Sequence, residues 1–95
     1  MRAIGAQWAI GGLSKIRAKH DEDLEHLPDT LAFGEILRTR HHDKPENPEN
    51  PNRKAIVYKG FVCFVTKRDD AWEITTHYKP KDNTVANLKT IAEAL

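Results

Sequence analysis

One cysteine in 95 residues, Cys63, leaves no partner for an intramolecular disulfide and too few thiolates for a zinc site built on several of them. No apolar run approaches the roughly 20 residues that a membrane-spanning helix needs. The N-terminus carries only Arg2 ahead of a short Ala/Ile/Gly/Trp stretch and no secretory cleavage pattern, so no targeting segment is read there. Charge of one sign is not in excess either: 15 Lys+Arg against 14 Asp+Glu leave +1, and a field that weak neither draws in RNA nor repels it. The chain is also short, with room for one modest core and not for a second independent domain.

Several chemistries lack their signatures. Gly11-Gly12 has neither the spacing nor the preceding strand of a nucleotide-phosphate loop. Ser14 has no flanking glycines of a nucleophile elbow, and Cys63 lies within an apolar, β-branched run where a thiol is ordinarily core. Five histidines raise the question of a metal. His41-His42-Asp43 are consecutive and sit beside a proline-rich stretch, however, and His20 and His26 lack the four-residue helical spacing of a metalloprotease motif. No metal and no cofactor is expected.

What is present is a division along the chain. Ile10, Leu13 and Ile16 recur at threes and predict a helix from about residue 12 through Lys19, its start delayed by the two glycines. Trp8 is expected to dock the segment ahead of it onto the core. Pro28 favours a second helix start, and PDTLAF is expected to run to Gly34 as a left-handed cap, with Leu24, Leu27, Leu31 and Phe33 as its apolar side. Residues 3–38 are thus read as helical. HHDKPENPENPN, residues 41–52, contains three prolines and no large apolar residue, and is read as a flexible, dispensable loop. From residue 53 to 79, AIVY, FVCFV and WEITTHY are strand-like, and connections as short as Lys59-Gly60 and Arg68-Asp69-Asp70-Ala71 make them an antiparallel meander. Alternation places Trp72, Ile74, Thr76 and Tyr78 on a buried face and Glu73, Thr75, His77 and Lys79 on a wet one. Asn83 or Thr84 can cap a last helix, 84–95, striped by Val85, Leu88, Ile91, Ala92 and Leu95. The fold class expected is α+β: short N-terminal helices on one face of an antiparallel meander sheet, plus a C-terminal helix.

The polar residues left over suit metal-free RNA cleavage. Residues 13–20 carry Lys15, Arg17, Lys19 and His20 with no acid, while 21–29 carry five acids and no Lys or Arg. Two ordinary solvated helix faces would look the same. Thr75, His77 and Lys79 come from one face of the last strand. In such a reaction a base takes the proton of the ribose 2′-hydroxyl, an acid protonates the leaving 5′-oxygen, and cations and hydroxyls stabilise the phosphate. Histidine fits the acid/base task because its ordinary pKa is near 6.5. Each residue also has a plain reading: His77 as an exposed strand residue, Thr75 as a β-former, His20 as a cation at a helix end.

GLSKIRAKH, then Leu24, Leu27 and Pro28 as L-x-x-LP, then Leu31, Gly34 and Glu35 as L-x-x-GE, then Trp72, Ile74 and Thr75 as W-x-I-T, resemble a phage-associated nuclease family. It belongs to the barnase/EndoU/colicin/RelE group of small metal-independent ribonucleases, often carried at the C-terminus of larger phage or mobile-element proteins. The likeness spans roughly residues 10–79, through short motifs. It implies a barnase-like sheet with RNA on its open face and the activity of an endoribonuclease, with tRNA among the candidate substrates, working as a toxin or effector. It also implies an inhibitor or immunity protein as a partner and a cytoplasmic location, the host's if the chain is phage-encoded. The isolated domain is expected to be a monomer. The family's Lys-His pair after the first helix and its Ser/Thr on the last strand fall on Lys19, His20 and Thr75. Lys15, Arg17 and Lys79 are then phosphate-binding candidates, and His77 is either a partner acid or an incidental surface residue. The chain departs from the family in its PENPENPN insertion and in having a histidine at 77. Two rival readings share the fold: a nucleic-acid-binding module without catalysis, and a structural or protein-interaction domain of a phage particle.

Overall fold

The structure, a computed structural model, describes residues 7–10, 13–18 and 27–95, with side chains at Ile16 and from Asp29 onward. It is an α+β arrangement. In chain order it contains β1 (Gln7–Ile10), β2 (Leu13–Ala18), α1 (Leu27–Phe33), β3 (Glu35–Arg40), a 3-10 turn (His41–Asp43), β4 (Glu49–Tyr58), β5 (Phe61–Arg68), β6 (Ala71–Tyr78) and α2 (Thr84–Glu93). The strands form one sheet in the order β1-β2-β6-β5-β4-β3. The four from β6 to β3 are antiparallel to one another, and β2 joins β6 in parallel.

The expected first helix is a strand. Leu13–Ala18 belong to β2, which pairs antiparallel with β1, Ile10 opposite Leu13. Three apolar residues at intervals of three are weak evidence for a helix beside two adjacent glycines, which are poor helix formers. Ile16, opposite Trp72, is fully buried as a strand residue. Residues 35–40 are a strand as well. EILRTR alternates between two faces: Leu37 packs on the α2 side, the side of Glu35 and buried Thr39, and Ile36 packs on the α1 side. Helix within 3–38 is therefore confined, among the described residues, to α1.

Gly34 is not a left-handed cap. Its N–H completes the helix by donating to the Thr30 carbonyl at 2.9 Å, and a Cβ there would stand 2.4 Å from that oxygen and 2.5 Å from Cγ2 of Ile56. The glycine permits a close approach of helix to sheet. Left-handed backbone occurs instead at His42 (φ 59°) and Asp43 (φ 53°) after β3, at Lys59 (φ 49°) and Gly60 (φ 84°), which make the tight β4–β5 hairpin, and at Asp69 (φ 55°) between β5 and β6.

The proline-rich stretch is organised. Glu49 and Asn50 already pair with Arg40 and Thr39, so β4 begins inside PENPENPN. The turn before it is tied at both ends: His41 N–H donates to the Pro48 carbonyl, Asn47 Nδ2 to His41, and Arg40 Nη1 to the Asn47 carbonyl. Arg53 reaches back to Asp43 at 2.6 Å. Proline is compatible with β4 here because the bonds skip it: the β3–β4 register passes from Lys54 directly to Asn50.

The helices lie on opposite faces, not on one. Leu31 of α1 packs with Ile16, Ile56, Cys63, Val65, Trp72 and Ile74. Leu88 of α2 packs with Leu37, Ala55, Val57, Val62 and Phe64, supported by Val85 and Ala92. These two sets alternate along β4 and β5, as a sheet buried on both sides requires. At its C-terminal end α2 is held by the edge strand: Arg38 donates to the Leu95 carbonyl and Arg40 to the Ala94 carbonyl, cations placed where the helix dipole is negative. At its start Asn83 makes no side-chain cap. Asp82 accepts from the Thr84 N–H and hydroxyl instead, and those bonds, the hydroxyl's first, hold its carboxyl below the usual range. No helix among the described residues is long and apolar enough to cross a membrane.

Candidate functional site

The two-residue alternation of β6 is broken in the middle. Val65 pairs with Ile74 and Phe64 with Thr76, leaving Thr75 as an extra residue. This β-bulge reverses the facing of everything after it. His77 pairs with Cys63 and so joins Trp72 and Ile74 on the α1 face, while Thr76 goes to the α2 face with Glu73. The expected grouping of Glu73, Thr75, His77 and Lys79 on one wet face is therefore wrong beyond residue 74. Trp72 and Ile74 are buried as expected. Tyr78 is not, at 39% exposed.

Turned toward α1, the His77 imidazole is half-buried and stacks on Phe61, ring centroids 5.3 Å apart and 16° from parallel. Its Nε2 is 3.1 Å from Oγ1 of Thr30, a fully buried helix residue, and the tautomer decides which of the two donates. The Lys79 ammonium sits 5.8 Å from the same Phe61 ring. One strand over, Lys59 stands 5.3 Å from the Tyr58 ring, and Tyr58 is 5.9 Å from Phe33 at the end of α1. Phe33, expected on the buried side of its helix, is 68% exposed. The β4–β5 turn, the end of β6 and the end of α1 thus bring three aromatic rings, an imidazole and two ammonium groups to one end of the sheet.

Of the expected site residues, His77 and Lys79 meet here. Thr75 stands at the bulge, exposed, and donates its hydroxyl to the Phe64 carbonyl at 3.0 Å. Its one hydroxyl hydrogen is committed to the backbone, and its visible work is to turn His77. Lys15 and Arg17 are on β2, not on a helix, with Arg17 beside Glu73 in the register. Lys19 and His20 lie outside the described residues. Ala18, just before them, pairs with Ile74, one residue from Thr75.

Sequence reasoning missed Thr30, Phe33, Tyr58, Lys59 and Phe61. A signal existed in Tyr58-Lys59-Gly60-Phe61, a basic turn between two aromatic residues, which reads as a hairpin and nothing more when taken alone. Cys63 plays no part in the site. It is fully buried and its thiol is pushed up to about 12 by burial, far from the thiolate a nucleophile requires. Among the described residues no three His, Cys, Asp or Glu side chains gather as metal ligands would. No protein-family model matches the chain, and comparison with curated proteins and with solved structures finds no match.

Proposed function

We propose that this chain is a metal-independent endoribonuclease of the phage or mobile-element effector type, with tRNA among its candidate substrates. The observation that carries the reading is the meeting of the His77 imidazole and the Lys79 ammonium on Phe61, at an end of the sheet that also holds Lys59. Histidine can exchange a proton near neutral pH, and an ammonium beside it can hold a phosphate. In this mechanism one group removes the proton from a 2′-hydroxyl, the oxygen attacks the adjacent phosphorus, and the bond to the 5′-oxygen breaks as an acid protonates it. The products are a 2′,3′-cyclic phosphate and a free 5′-hydroxyl. The family resemblance assigns one proton carrier to His20, with Lys19 on the phosphate, and His77 is the candidate for the other, its Nε2 leaving Thr30 to reach the substrate because its Nδ1 is buried. Lys15 and Arg17, the further phosphate-binding candidates of the resemblance, are on β2 beside the start of β6 and not at this end of the sheet.

The donor bond from Thr75 to Phe64 favours a second reading, RNA binding without cleavage, because it occupies a hydroxyl that the catalytic scheme would turn to the phosphate. One experiment separates the two. Purified protein is incubated with a single-stranded RNA in EDTA and the product ends are analysed. Cyclic phosphate ends, abolished when the cleaved nucleotide lacks its 2′-hydroxyl, support the nuclease. Binding without cleavage supports the module.

A further inference from the structure

We propose that Phe33 and Tyr58 form a stacking platform for an unpaired nucleobase, with Lys59 holding the phosphate beside it, so that the chain selects single-stranded RNA. The inference rests on the nuclease reading for the identity of the nucleic acid, and its argument is separate. A phenylalanine that ends a helix and leaves 68% of its surface in water gains little from folding. Phe33 nevertheless stands against Tyr58, and Tyr58 carries an ammonium at 5.3 Å, so the apolar surface is flanked by positive charge. A ring open to solvent beside a cation is complementary to a base with its phosphate, and such stacking is indifferent to sequence because every base has a π-face. Duplex RNA keeps its bases stacked inside and offers no such face. The Lys59 backbone lies in the tight β4–β5 turn with φ 49°, so its side chain starts from a short connection and not from a long loop.

The test uses a fluorescent single-stranded 2′-O-methyl oligonucleotide of mixed sequence, which cannot be cleaved through a 2′-hydroxyl, and reads affinity by anisotropy. Phe33→Ala should weaken binding about tenfold or more, and Phe33→Trp should restore it. Lys59→Asn keeps a residue that tolerates positive φ and removes the charge, so it should weaken binding and make the affinity less dependent on salt. A blunt 2′-O-methyl duplex should bind more weakly and be indifferent to Phe33. Both substituted positions are exposed, so an unchanged melting transition is expected to show that the fold is kept. Equal binding by Phe33→Ala and the native chain overturns the platform, as does a duplex that competes as well as the single strand or a single strand that does not bind. Cleavage that ignores Phe33 would sink the platform and leave the nuclease standing. Phe33-dependent binding with no cleavage of ordinary RNA would do the reverse.

Discussion

Two positions, half-buried Gly34 and buried Cys63, show how closely single residues are specified. Gly34 lets the end of α1 descend onto β4. An alanine methyl there would meet backbone oxygens of Thr30 and Val57 and the Ile56 side chain, and two of the three are main chain that cannot step aside. Gly34→Ala should therefore destabilise the protein by about 1–3 kcal/mol or more, read from chemical denaturation. Cys63 gives a pH dependence with a definite sign. The folded thiol keeps its proton up to about 12, while an unfolded cysteine loses it near 8.5. The folded pKa is the higher one, so the stabilisation is complete below the unfolded value and is lost as the pH rises toward the folded one. Between about pH 9 and 11 the native protein should lose about 1.4 kcal/mol per pH unit more than Cys63→Ala does. Parallel slopes for the two proteins would mean that the thiol is not buried as described.

At the scale of elements the decisive feature is the bulge in β6. Thr75→Val keeps shape and strand preference but leaves the Phe64 carbonyl without its side-chain donor. It should cost about 0.5–1.5 kcal/mol of stability and change any cleavage rate by less than about tenfold. A rate loss near 10²-fold with unchanged stability would instead put the hydroxyl on the phosphate. The bulge also marks the limit of what the sequence discloses. WEITTHY alternates legibly through Ile74, but nothing in two adjacent threonines announces which is the extra residue, so His77 is assigned to the wrong face. β4, β5, β6, α1 and α2 are readable because their β-branched runs, tight turns and apolar stripe agree with one another. β2 and β3 are not, since LSKIRA and EILRTR are short, charged and rich in residues content in a helix. Their strand state comes from pairing with β6 and β4, which is tertiary information. Within the candidate site, His77 and Lys79 were legible as residue types. Phe33, Tyr58 and Phe61 were hidden, because an aromatic residue near a turn looks the same whether it is core or surface.

For the whole molecule, α1 covers one face of the described sheet and α2 covers the β3–β5 part of the other, while Thr76 and Tyr78 of β6 stay exposed on that second face. The proposed site lies at the end of the sheet where the β4–β5 hairpin, the end of β6 and the end of α1 come together. There a half-buried histidine lies with two half-buried aromatic rings, the exposed Phe33 ring and two lysines, in a chain whose net charge is only +1. A local cluster of cations can hold RNA there without a strongly basic protein around it, and its affinity should be correspondingly sensitive to salt. The most direct test of the account is the single-turnover rate at which His77→Ala cleaves a single-stranded RNA in EDTA, compared with the native chain and with the folded fraction measured in the same buffer. The account predicts a rate about 10²–10⁴-fold lower per folded molecule. A variant that is folded and cleaves at the native rate would contradict it.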